Sequence, residues 1–109
     1  MHDVEKCVSL AEIAYKSGNL NAAVRHAKAA IVHCECEERV TALRIFIARC
    51  YSKQGKIRES NTIYRGLVNE RNYLPPVIMG LLYNNFKMNE GNSVKMGRNL
   101  GLIKIFVRD

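Results

Sequence analysis

TALRIFIARCYSKQGKIRESNTIYRGL, residues 41–67, is the stretch from which the fold of this chain can be inferred. Apolar residues recur at helical spacing on both sides of a turn at Gly55: Leu43, Ile47, Cys50 and Tyr51 before it, then Ile57, Ile63, Tyr64, Leu67 and Val68. A glycine between two amphipathic runs is typical of the left-handed residue that ends one helix and lets the next fold back. The stretch therefore predicts an antiparallel helical hairpin.

Similar amphipathic segments lie on both sides of this hairpin. We predict six helices in one domain spanning residues 1–109, at about 3–17, 21–33, 38–54, 57–71, 76–88 and 93–107. Gly18 separates the first two segments, and Pro75 with Pro76 stops the fourth and opens the fifth. The last segment has an alternative, because the β-branched residues of 102–107 favour a strand. A helix is preferred there, since no other segment offers a strand to pair with it.

Charge is distributed unevenly along the 109 residues, whose net charge is +7. Residues 1–38 carry 4 Lys/Arg and 6 Asp/Glu, whereas residues 39–109 carry 13 and 4. Such asymmetry indicates a surface for an acidic peptide or nucleic acid, or simply long basic side chains that solvate exposed helix faces. No apolar run is long enough to span a bilayer and no secretory signal is visible, so we expect an intracellular protein, cytoplasmic or nuclear, with reduced cysteines.

The hairpin recurs with a period that is typical of helical repeats. Gly18 and Gly55, the two turn glycines, are 37 residues apart. The middle unit has small residues at Ala48, Gly55 and Ser60 and aromatic residues at Tyr51 and Tyr64. This pattern resembles the tetratricopeptide repeat family, with units at about 3–36, 37–72 and 75–108. The resemblance implies an all-α solenoid of three helix-turn-helix units, in which aromatics such as Tyr51 and Tyr83 fill the gaps between units.

The resemblance also implies a binding site, because members of that family line a concave groove with the first helix of every unit. Carried over to this chain, the groove residues are Val8, Glu12, Tyr15 and Lys16 from the first unit, Ile45, Arg49 and Lys53 from the second, and Leu81, Asn84 and Asn85 from the third. Arg49 and Lys53 stand one helical turn apart, so they either contact one acidic ligand together or simply form a solvated helix face. We therefore expect a protein or peptide partner with acidic and apolar side chains, and a non-catalytic adaptor or scaffold function.

Two other binding functions are compatible with the same sequence. The basic portion 39–109 could bind RNA or another nucleic acid, although its cations are spread over several helix faces and lack an aromatic platform. Self-association through an uncapped terminal hairpin is the other alternative, since three units leave no residues for a polar capping helix. The chain could also be a fragment of a longer array.

The sequence offers little chemistry for catalysis or for a metal. His33, Cys34 and Cys36 form the only cluster of metal-ligand type, and they lack the second pair of ligands that a zinc site needs. Cys7 and Cys50 instead lie on apolar helical stripes, which predicts a place in the core. With no nucleophile motif or phosphate-binding glycine loop, we expect neither an enzyme nor a cofactor.

Overall fold

A computed structural model describes residues 4–90 of the chain, which form five α-helices and, within that range, no strand. The helices are α1 (Val4–Lys16), α2 (Leu20–His33), α3 (Glu37–Lys53), α4 (Ile57–Asn69) and α5 (Pro75–Glu90). The predicted all-α class is confirmed for these residues. The expected sixth helix at 93–107, and the alternative strand at 102–107, lie outside the described residues.

The turns between the paired helices have the predicted geometry. Gly18, after α1, has φ +84°, and Gly55, after α3, has φ +83°, so both occupy the left-handed region where a Cβ is strained. Asn19 then caps α2, because its side-chain oxygen accepts a hydrogen bond from the Ala22 amide at 3.1 Å. Each turn therefore reverses the chain within three residues and sets the two helices of a pair antiparallel.

Alanines form the first part of the core, where α1, α2 and α3 meet. Ala11, Ala23, Ala27 and Ala30 are almost inaccessible to solvent, and Leu43 joins them from α3. Because these side chains are so small, helix axes can approach closely without leaving voids. The alanine-rich face of α2 thus lies between α1 and α3, and α2 contacts both helices.

Larger side chains form the second part of the core, between α3, α4 and α5. Ala48 of α3 meets the almost inaccessible side chains of Tyr64 and Leu67 from α4 and Val77 from α5. Each of the helices α1 to α4 thus packs against the helix that follows it, and α5 also contacts α3. This arrangement places α1, α3 and α5, the first helices of the predicted units, so that hollows open between them.

The two aromatics expected to fill gaps between units behave differently. Tyr51 is partly buried against the first part of the core, as predicted, whereas Tyr83 is 52% exposed. The difference follows from the rotation of α5, which turns Val77 and Asn84 inward and leaves Tyr83 about 100° around the helix. No helix among residues 4–90 is long and apolar enough to cross a membrane.

Candidate functional site

A hollow of about 510 Å³ opens between α3 and α5, over Tyr64 of α4. Its lining combines two cations, two polar side chains and several apolar or aromatic groups: Arg49, Ser52, Lys53, Tyr64, Pro76, Met79, Gly80, Tyr83 and Asn84. We call it the α3–α5 groove. Its volume lies within the range of about 300–1,000 Å³ that is usual for small-ligand pockets.

Tyr64 forms the floor of the α3–α5 groove. Its ring lies against the backbone of Gly80, where an added Cβ would overlap the ring atoms. The side chain is only 1% exposed, and burial raises the pKa of its phenol above the ordinary value of 10.0. Because Gly80 has no side chain, α5 can approach α4 closely enough for its backbone to lie against the Tyr64 ring, and both residues line the groove.

Arg49 and Lys53 bring positive charge to one side of the groove. Both side chains are exposed and lie one turn apart on α3, as the sequence predicted. The Lys53 ammonium also lies 5.1 Å from the ring centre of Tyr15 on α1, within cation–π range. Tyr15 also contacts Phe46 of α3, with ring centres 5.4 Å apart, so this α1 side chain meets α3 at two positions.

A second, smaller hollow of about 180 Å³ lies on the other flank of α3, against α1. Its lining is mostly apolar: Val8, Ala11, Glu12, Arg39, Ala42, Leu43 and Phe46. Arg39 is engaged there by Glu5 across 2.6 Å, and this hydrogen bond raises the pKa of the guanidinium. The predicted residues Val8 and Glu12 therefore lie in this α1–α3 hollow, beside the aromatic pair that leads to the α3–α5 groove.

Asn84 was predicted to line the binding groove, but it is fully buried and its amide is used within the fold. The Ser52 hydroxyl donates to Asn84 Oδ1 at 2.8 Å, and Asn84 Nδ2 donates to Ser60 Oγ at 2.9 Å and Asn61 Oδ1 at 2.8 Å. The Ser60 hydroxyl donates in turn to the Ala48 carbonyl at 2.7 Å. These bonds join α3, α4 and α5, so Asn84 positions α5 rather than a ligand.

Other predicted groove residues also lie elsewhere. Ile45 is buried in the second part of the core, and Leu81 packs against that same part of the core. Asn85 is half-buried and Lys16 is exposed, and neither lines one of the two hollows. A first-helix position is therefore not enough to place a residue on the groove, since only one face of each helix is turned toward it.

The residues of α5 that do line the groove were missed by the sequence analysis. Pro76, Met79, Gly80 and Tyr83 share one helical face, at spacings of three, four and seven residues. The sequence did contain a signal for this face. Val77 and Asn84 are seven residues apart and so lie on one side of α5, and the four groove residues lie beside that side. α5 is apolar on several faces, so periodicity alone could not decide which of them is buried.

The cysteines lie where the sequence placed them. Cys50 is fully buried and Cys7 packs against the first part of the core, which confirms their predicted positions. Burial raises the pKa of the Cys50 thiol to about 11. Cys34 and Cys36 lie at the connection before α3, and no group of three or more His, Cys, Asp or Glu side chains is arranged to hold a metal within residues 4–90.

Comparison with known proteins found no matching family model, no matching curated protein and no matching solved structure. The function must therefore be inferred from the grooves and side chains described above.

Proposed function

We propose that this chain is a non-catalytic protein-interaction module, and that its α3–α5 groove binds a peptide carrying an acidic side chain next to an apolar one. The observation that carries the proposal is the composition of the groove. Arg49 and Lys53 stand on one side of it, and Met79 and Tyr83, 64% and 52% exposed, stand on the other. A ligand must therefore satisfy two cations and cover two large apolar side chains at once.

The chemistry of each wall selects one part of such a peptide. A carboxylate can take charge-assisted hydrogen bonds from the Arg49 guanidinium and the Lys53 ammonium, which have no carboxylate partner among residues 4–90. An apolar side chain beside it can be desolvated against Met79 and the Tyr83 ring. Because the α1–α3 hollow continues on the other flank of α3, a longer peptide can extend past Phe46 and place a second apolar side chain there.

The fold that we propose around this groove is an array of three tetratricopeptide-like units with about six helices. Its support is the repetition of one hairpin: α1 with α2 and α3 with α4 turn on left-handed glycines, Gly18 and Gly55. Each helix contacts its successor, as in a solenoid, where one hairpin cannot bury its own apolar stripe. The first helices α1, α3 and α5 then provide the binding surface.

Binding rather than catalysis is favoured by what lines the groove. Its titratable side chains are Arg49, Lys53, Tyr64 and Tyr83, and no described histidine, cysteine or carboxylate accompanies them. A general acid–base mechanism requires a group that titrates near neutral pH in contact with the reacting atoms. The two cations instead suit recognition of an anion, which needs no proton transfer.

The test begins with a displayed library of random 12-residue peptides selected on the wild-type chain. We expect the selected peptides to be enriched in Asp or Glu beside Leu, Met or an aromatic residue. Reversing both groove cations, Arg49→Glu with Lys53→Glu, should weaken binding of a selected peptide more than tenfold in fluorescence anisotropy, since two charge-assisted bonds of about 1.5–3 kcal/mol each are replaced by repulsion.

The matched control reverses two exposed arginines of α4, Arg58→Glu with Arg65→Glu, which changes the net charge equally but leaves both hollows intact. Binding should then change less than about threefold, because charges outside the groove act only through screened long-range fields. Equal loss in the two double variants would show a general charge effect, such as nucleic-acid binding, and undiminished binding by the groove variant would refute the groove assignment.

A further inference from the structure

The short connection between α2 and α3 carries two cysteines, one on each side of Glu35. Cys34 is the C-cap of α2 and is half-buried, whereas Cys36 is the N-cap of α3 and is exposed. The other two cysteines of the chain, Cys7 and Cys50, pack in the first part of the core. The connection therefore holds a pair of accessible thiols, and this pair lines neither the α3–α5 groove nor the α1–α3 hollow.

Backbone geometry holds the two sulfur-bearing side chains close together. Cys34 (φ −95°, ψ 129°) and Cys36 (φ −86°, ψ 116°) have extended conformations, and residues two apart are separated by at most about 7 Å between Cα atoms. A disulfide needs a Cα separation of roughly 4.4–6.8 Å. The Cys34 thiol is already turned toward Cys36, because it donates a hydrogen bond to the Cys36 carbonyl at 3.6 Å. Side-chain rotation and a small adjustment of this non-helical connection can therefore bring the sulfur atoms to bonding distance.

A polar hollow of about 480 Å³ gives a small reagent access to the pair. Cys34 lines this hollow, together with Thr41 of α3 and Asn72, which follows α4. The exposed Cys36 thiol makes no capping hydrogen bond with α3, so the helix does not hold it. Cys36 is therefore the thiol that meets a reagent first, and Cys34 stands behind it.

The charge around the pair selects the kind of reagent. Three glutamates adjoin the two cysteines in the sequence: Glu35, Glu37 and Glu38. The arginines of this region, Arg39 and Arg44, are paired with Glu5 and Glu70, so they do not offset those three carboxylates. Within a Debye length of about 10 Å the carboxylates attract a cation, although the net charge of the whole chain is positive. A positively charged reagent is therefore concentrated at the pair.

We propose that Cys34 and Cys36 form a reversible modification site, at which a small, positively charged disulfide converts the two thiols into one intrachain disulfide. The Cys36 thiolate attacks one sulfur of the reagent, forms a mixed disulfide and releases the first reagent thiolate. The Cys34 thiolate then attacks the Cys36 sulfur and releases the second reagent thiolate. The two protein thiols are oxidised, the reagent disulfide is reduced to two thiols, and the protons of the protein thiols pass through solvent to the released thiolates.

Sequence proximity favours closure within one chain over a link between two chains. A thiol two residues away is present at an effective concentration of at least the order of millimolar, whereas a second copy in a typical sample is micromolar. The product stays labile, because a ring closed over one intervening residue is tight, and strained, exposed disulfides are readily reduced by thiols. The connection that joins the α1–α2 hairpin to the α3–α4 hairpin can therefore be closed and reopened.

The test treats the full chain, under native conditions, with cystamine, which is an aminoalkyl disulfide, and analyses acid-quenched samples by mass spectrometry. We expect the peptide containing Cys34 and Cys36 to lose the mass of two hydrogens, with a yield that is unchanged on roughly tenfold dilution. Excess monothiol should restore it, and Cys7 and Cys50 should remain thiols in the same sample. No peptide ligand is involved, so this result is independent of the peptide-binding proposal.

Two variants separate the steps. Cys34→Ser should accumulate the mixed disulfide on Cys36, because the second attack is lost. Cys36→Ser should react at least about threefold more slowly, because the remaining thiol is half-buried. An unchanged circular dichroism spectrum verifies that both variants are folded. A wild-type mixed disulfide that persists without closing, a link to Cys7 or to a second chain, or a Cys36→Ser variant as fast as the wild type would overturn the proposal.

The charge of the reagent is tested against the uncharged bis(2-hydroxyethyl) disulfide. The ratio of the cystamine rate to the rate with this uncharged disulfide should fall as sodium chloride is raised from roughly 0.01 to 0.5 M, since salt screens the glutamates. Comparing the two reagents at each salt concentration removes the effects of salt on the protein thiols themselves. A ratio that stays constant or rises with salt would overturn the selection of a positively charged reagent.

Discussion

Replacement of Asn84 by alanine is expected to destabilise the fold strongly, because it removes the centre of the buried network between α3, α4 and α5. Asn84 makes three hydrogen bonds at 2.8–2.9 Å, to Ser52, Ser60 and Asn61. Ser60 keeps its bond to a backbone carbonyl, and half-buried Ser52 can turn to water. The Asn61 carbonyl, in a side chain only 4% exposed, loses its partner.

The magnitude follows from these contacts. An unsatisfied buried carbonyl costs about 1–3 kcal/mol, and the lost packing adds about 1 kcal/mol, so the free energy of unfolding should fall by about 2–4 kcal/mol. With a urea m-value of about 1.5 kcal/mol/M, the midpoint of unfolding should shift down by roughly 1.3–2.7 M. Circular dichroism at 222 nm during urea titration measures this shift, since helices are the only regular structure among residues 4–90.

Asn85→Ala is the matched control, because Asn85 neighbours Asn84 on α5 but is half-buried and makes no bond in this network. Its effect should stay within about 0.5 kcal/mol. Asn84→Leu separates the two contributions, since it restores volume but leaves the polar partners unpaired. If Asn84→Ala is no more destabilising than Asn85→Ala, or if Asn84→Leu is as stable as the wild type, the network does not hold α5 in place.

Two further predictions concern α5 and the core. Gly80→Ala places a Cβ onto the Tyr64 ring and should lower the free energy of unfolding by about 1–3 kcal/mol in urea titrations. The control is Gly66→Ala inside α4, whose Cβ would meet only the end of the Arg44 side chain, and it should lower the free energy of unfolding by less than about 0.5 kcal/mol. The exposed Cys36 thiol should react quickly with a disulfide reagent at pH 8, and the buried Cys50 thiol only as fast as the fold opens. Burial raises the pKa of the Cys50 thiol from 9.0 to about 11. The stabilisation from the buried neutral thiol is therefore complete below pH 9 and is lost as the pH rises toward 11. Thermal melts of the wild type and Cys50→Ala at alkaline pH measure this loss.

Each of these has an outcome that contradicts it. A Gly80→Ala variant as stable as Gly66→Ala would mean that Tyr64 can move away and that the close approach of α5 is not required. If Cys36 and Cys50 react with the disulfide reagent at equal rates, the Cys50 thiol does not lie in the core. An alkaline loss of stability that is unchanged in Cys50→Ala would assign it to other groups, such as the Tyr64 phenol, whose pKa is also raised by burial.

Much of the local structure follows from the sequence. The five described helices start and end within a few residues of the predicted positions, because apolar spacing, turn glycines and the Pro75–Pro76 pair act locally. The left-handed conformations of Gly18 and Gly55 and the core positions of Cys7 and Cys50 were also predicted, since each depends on its own short segment. Arg49 and Lys53 lie one turn apart on α3, so their common position beside the α3–α5 groove follows from helical spacing alone.

The rotation of α5 was decided only by tertiary structure. Its sequence is apolar around most of the helix, so several faces could have been buried. The choice is made by partners that are distant in sequence: the Asn84 amide meets Ser52, Ser60 and Asn61, and Gly80 meets the Tyr64 ring. Hydrogen-bond pairing and close packing between helices require three-dimensional proximity, which periodicity within one helix does not encode. These contacts bury Asn84 and leave Met79 and Tyr83 to form the groove wall.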